Sequence, residues 1–92
     1  MTTVTLNRKG NTYSIEAKGH ATGSEVVCAS ISTLIYSLKG YLINSDLEVL
    51  EDITKPGYAK VTFSGDGDKL YKFMDIAFHQ LELKEKDFIK IK

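Results

Sequence analysis

The chain has 92 residues, which is one domain with a modest core. Twelve basic and twelve acidic side chains cancel, so the cationic excess that collects nucleic-acid phosphates is missing. A single cysteine excludes an internal disulfide, the first residues carry no apolar signal region, and no run approaches membrane-spanning length, which together predict a cytoplasmic protein with no direct nucleic-acid or membrane partner.

Residues 3–6 alternate, with Val4 and Leu6 on one face. Arg8-Lys9-Gly10-Asn11 has turn chemistry, since Gly10 or Asn11 can take a positive φ. Tyr13, Ile15 and Ala17 then alternate with Ser14, Glu16 and Lys18. The two segments predict an antiparallel hairpin with one buried face. His20 continues on the polar parity and so lies off the core stripe.

From Ser24 the period lengthens to that of a helix. Val27, Ile31, Leu34, Leu38 and Leu42 form an apolar stripe, widened by Ile35 and Tyr41. Ser24 is a suitable N-cap, and Glu25 suits the positive end of the helix dipole. Val26, Ser30, Thr33, Ser37 and Gly40 make a second face of small residues, which predicts the close approach of another helix or a partner subunit. Asn44 and Ser45 end the helix.

Leu47, Val49, Glu51 and Ile53 share one parity of a third strand. Lys55-Pro56-Gly57-Tyr58 has Pro and Gly in the order of a type II turn. Ala59, Val61 and Phe63 mark the return strand. Residues 64–68 form a loop in which Asp66 or Asp68 can cap the next helix. That second helix is predicted over 69–83, with Leu70, Phe73, Met74, Ala77 and Leu81 at helical spacing and Phe78 beside them. Residues 88–91 read as a short closing strand. The order β-β-α-β-β-α-β over a single domain, residues 1–92, predicts an α+β fold: a mainly antiparallel sheet with two helices on one face.

Chemistry concentrates between residues 19 and 29. Cys28 has two readings. A lone cysteine among apolar residues is commonly a small buried hydrophobe. Near a helix N-terminus, however, unpaired N–H groups favour a thiolate nucleophile. His20, with seven residues between it and Cys28, is either a strand-end histidine or a general base for that thiol; the spacing permits their contact without requiring it. Glu25 is a helix-start charge or a third group orienting the imidazole. Gly19 and Gly23 would let the backbone pass close to a peptide, and N–H groups at the helix start could stabilise an oxyanion. His79 belongs to the solvated side of the second helix.

Other sites fit poorly. There is no G-x-S-x-G elbow. His20, Glu25 and Cys28 are too few for zinc, and Asp66-Gly67-Asp68 lacks the later ligands of a calcium loop. Residues 19–24 could hold an anion at the helix start, but the lysine of a Walker loop is missing. No metal or cofactor is predicted.

The segment Gly19-His20-Ala21, a glycine-bearing turn, and then Glu25-Val26-Val27-Cys28-Ala29 leading into a serine-containing helix resembles the ribosomal-processing cysteine protease Prp (YsxB-like) family. The resemblance makes His20 the catalytic histidine and Cys28 the nucleophile. Gly19, Ala21 and Ala29 match residues flanking them, and Ser32, Leu34 and Tyr41 match the helix. Gly19, Ala21, Gly23, Ser24 and Glu25 become candidates for binding substrate or the oxyanion. It implies a homodimeric α+β endopeptidase that removes a short N-terminal extension from the large-subunit ribosomal protein numbered twenty-seven or, in phage, processes virion precursors. Two features depart from the family pattern: the His-to-Cys loop is shorter, and Glu25 stands in place of the usual Asp. The alternative is a non-catalytic dimeric binding or assembly module on the same scaffold.

Overall fold

In the computed structural model, which describes residues 1–20 and 24–92, β1 (Thr2–Lys9) and β2 (Thr12–Lys18) form the predicted hairpin. Gly10 turns its corner at φ +62°. Val4 faces Ala17 and Leu6 faces Ile15, so the side-chain period of two gathers one apolar face. After α1 (Glu25–Ile43), β3 (Glu48–Lys55) and β4 (Tyr58–Ser64) make the second hairpin. α2 (Asp68–Lys84) leads to the short β5 (Ile89–Ile91).

The sheet order is β3-β4-β2-β1-β5. Every neighbouring pair is antiparallel except β1 with β5. That parallel pair arises from α2, which carries the chain back across the sheet before β5 begins, as a parallel connection requires. The α+β prediction and its element order hold. Tyr13 pairs with Phe63, Ile15 with Val61 and Ala17 with Ala59, extending the apolar face across β4. The two helices cover this face and complete one core.

Helical spacing gave the elements correctly but misassigned several side chains. Along α1 the buried residues are Val27, Ile31, Ile35, Leu38 and Leu42. Ile35, not Leu34, continues the i, i+4 ridge; Leu34 is half-buried, and Tyr41 is 55% exposed. Along α2, Met74 and Phe78 are buried, whereas Phe73 is 66% exposed, looking into a groove with Ser37 and Tyr41. The small-residue face of α1 stays largely open: Val26, Thr33 and Ser37 are exposed, a Cβ at Gly40 would meet nothing within 4 Å, and Ser30 and Thr33 only line a groove with Leu81 of α2.

Three further expectations change. Residue 50 forms a bulge, because the register shifts between Val49 and Glu51. Val49 therefore falls opposite Phe63, while Glu51 pairs with Thr62 on the opposite parity, so these two do not share a face. Neither Asp66 nor Asp68 caps α2: Gly67 is its N-cap without a side-chain bond, and Asp68 lies in the first turn, paired with Arg8. α1, with 19 residues and a mean hydropathy of 1.5 over its best window, is long and apolar enough to cross a membrane by composition, contrary to the expectation that no run approaches that length. Its apolar stripe is spent on the sheet: the five buried residues above are core.

Candidate active site

β2 delivers His20, and two glycines determine how. Gly19 takes φ +96°, where a side chain would be strained, and a Cβ there would lie 2.7 Å from the carbonyl oxygen of Met1. The Gly19 N–H donates to the carbonyl of Gly57 at 2.8 Å. Its own carbonyl accepts from the hydroxyl of the buried Thr2 at 3.3 Å, and the His20 carbonyl accepts from the amino nitrogen of Met1 at 2.9 Å. The end of β2 is thus held from β1 on one side and from the β3–β4 turn on the other. The His20 side chain is exposed and lies against Gly57.

α1 delivers Cys28, its fourth residue. Ser24 caps the helix as predicted: its hydroxyl accepts from the Val27 N–H at 3.2 Å, and its carbonyl accepts from the Cys28 N–H at 3.2 Å. The N–H groups of Glu25 and Val26 precede the intrahelical ladder and remain at the positive end of the helix. Cys28 and Glu25 are exposed. The reading of Cys28 as a small buried hydrophobe is therefore not met. Ala21 and Gly23 lie outside the described residues.

His20 and Cys28 line one cleft of about 240 Å³. Gly19 joins them from β2. Ile31, Ser32, Ile35 and Tyr36 form the α1 wall, and Thr54, Lys55, Gly57 and Tyr58 form the hairpin wall. Sequence reasoning missed this second wall. Pro56-Gly57 announced a turn, but only the pairing of β4 with β2 brings that turn beside His20.

The hairpin wall is braced from both sides. Lys39 of α1 pairs with Asp52 at 3.0 Å and bonds the hydroxyl of Thr54. Tyr58 donates its hydroxyl to Glu16 of β2 at 2.6 Å. That bond to the Glu16 carboxylate, followed by burial and the nearby negative charges of Glu16 and Glu51, pushes the Tyr58 phenol above its ordinary value. His79 sits on the surface of α2 beside Asp75 at 3.1 Å and does not line this cleft. Among the described residues no group of three His, Cys, Asp or Glu side chains could hold a metal ion.

Two solved structures share this architecture over the whole chain. Both are of an essential ribosomal processing protease, Prp, from S. aureus. The one with a covalently linked product peptide matches with a TM-score of 0.83 and 19% identity, covering 100% of this chain and 98% of that chain. The one with a substrate peptide matches with a TM-score of 0.77, again at 19% identity and the same coverage. At such identity the likeness establishes the fold. No curated protein matches the sequence. The family model described as cysteine protease Prp matches residues 1–90, nearly the full length, and the chain accordingly belongs to the Prp family of cysteine proteases.

Proposed function

We propose that the chain is an endopeptidase that removes a short N-terminal extension from a protein precursor, with Cys28 as nucleophile and His20 as its general base. One observation carries the assignment. A cysteine protease needs a cysteine, this chain has one, and it shares a cleft with one of only two histidines.

In this reading the Cys28 thiolate attacks the scissile carbonyl and His20 holds the proton taken from the thiol. The N–H groups of Val27 and Cys28 are engaged by Ser24, so Glu25 and Val26 supply the donors from the helix start to the oxyanion. As the tetrahedral intermediate collapses, the C–N bond breaks and His20 returns the proton to the leaving amine. Water, deprotonated by His20, then hydrolyses the thioester. The cleft, which Gly19 also lines, is the place for the peptide.

The S. aureus relative is named for ribosomal processing. Carried to this chain, that name points to a ribosomal precursor as substrate; the resemblance of residues 19–29 narrows the proposal to the large-subunit protein numbered twenty-seven or a virion precursor of analogous form, met in the cytoplasm. The enzyme acts as a homodimer; Tyr41, Phe73 and Ile76, all more than half exposed on the helix layer, are apolar surface that a second subunit would cover.

The test is to incubate purified candidate precursors with wild type and Cys28→Ala and to read the new N-terminus by mass spectrometry. Wild type should cut one precursor at one bond, and Cys28→Ala should bind the uncut form. Cleavage by Cys28→Ala ends the proposal.

A further inference from the structure

The β3–β4 turn supplies a platform for the imidazole. A Cβ built at Gly57 would lie 2.6 Å from His20 Nε2 and 3.1 Å from both Cδ2 and Cε1. Those two carbons would be considerably farther away if the ring pointed its nitrogen at the glycine. Their near-equal approach places the Nε2 end of the ring face-on over Gly57, and the in-plane directions of the ring nitrogens are not used by this contact. The same glycine holds the backbone before the ring, since its carbonyl accepts the Gly19 N–H at 2.8 Å. Its φ of +74° is the left-handed value that the second central position of a type II turn demands.

We propose that Gly57 is a positioning residue for His20: the absence of a side chain there, beyond its turn conformation, sets where the imidazole stands in the cleft. The proposal rests on His20 acting as the base. Any Cβ at residue 57 displaces the ring, because 2.6 Å is closer than real Cβ contacts come. The turn has little freedom to retreat. Tyr58 is tied to Glu16, and β3 is tied by Asp52 to Lys39, on the same helix as Cys28. The turn therefore references the base to the helix that carries the nucleophile.

Gly10 separates the two roles of a turn glycine. It has a similar φ, +62°, but a Cβ there meets nothing within 4 Å. The experiment compares Gly57→Ala, Gly57→Asn and Gly10→Ala by peptide cleavage kinetics, by the ring resonances of His20 in NMR, and by melting temperature. Asn tolerates a left-handed backbone and keeps the turn foldable while still placing a Cβ against the ring. Both Gly57 variants should lose about 10–100-fold in kcat with KM within about 3-fold, because a small misplacement of a catalytic group costs that much. Their His20 ring resonances should shift. Gly10→Ala should lower the melting temperature much as Gly57→Ala does, with kcat and the His20 resonances unchanged. Wild-type kcat and unshifted resonances in Gly57→Asn overturn the proposal while leaving the dyad standing. Full activity in His20→Ala overturns the dyad, and this inference with it.

Discussion

The N–H of Cys28 donates to the carbonyl of Ser24 at 3.2 Å, so the residue that caps α1 also fixes the backbone of the candidate nucleophile. The Ser24 hydroxyl is already engaged by Val27 at 3.2 Å. Ser24→Ala should therefore cost about 0.5–2 kcal/mol in a denaturant titration, and Ser24→Asp should restore most of it. Fraying the first turn also disturbs the Glu25 and Val26 N–H groups, so kcat should fall with Ser24→Ala and recover with Ser24→Asp.

Tyr58 gives the protein an alkaline signature. Its phenol is held above the ordinary value of 10.0 first by the hydrogen bond to Glu16. A raised value in the folded state means that the stabilisation is fully present below the unfolded value and is lost as pH rises through the folded one. Melting temperature should therefore decline above about pH 10, and the decline should be shallower in Tyr58→Phe. Tyr71, raised chiefly by burial, contributes to the decline in both proteins, so the difference between them isolates Tyr58.

Lys39 joins α1 to β3 across the cleft through Asp52 and Thr54. Because Asp52 is half exposed, the ion pair is worth little by itself, and Lys39→Met should cost only about 1 kcal/mol. A double-mutant cycle with Asp52→Asn should return a coupling of about 0.5 kcal/mol. The more telling readout is peptide KM, which should rise as the hairpin wall loosens.

The core offers a contrast that spacing did not separate, since Ile35 and Tyr41 both widen the apolar stripe of α1. Ile35 is 3% exposed and Tyr41 is 55% exposed. Ile35→Ala should cost about 2–5 kcal/mol, a large share of the stability of a small domain, and Tyr41→Ala should change stability of the isolated subunit little. Thermal unfolding of dilute protein measures both.

Short-range patterning is the part of this fold that the sequence makes legible. Alternation gave the strands, the change of period at Ser24 gave α1, and Pro56-Gly57 gave its turn. Residue 50 broke the pattern of β3 because a bulge is an exchange of register with a partner strand, and Leu47, Val49, Glu51 and Ile53 alone contain no partner. Ile35 and Leu34 were interchanged because adjacent residues lie about 100° apart on a helix, and only the sheet's position decides between them. In the site, His20, Cys28 and Ser24 were visible because they adjoin one strand–helix junction. Thr2, Thr54, Gly57 and Tyr58 were not, since they reach the same cleft from distant parts of the chain through pairing of β1 and β4 with β2 and of β3 with β4.

The central claim is that His20 activates Cys28. The most direct measurement is the rate of Cys28 alkylation by iodoacetamide at pH 7, followed by intact mass, in wild type and in His20→Ala, with His79→Ala as control. Wild type and His79→Ala should react at the same rate, and His20→Ala should react at least about 10-fold more slowly, in line with the loss of an acid–base partner. Equal rates in wild type and His20→Ala would contradict the dyad.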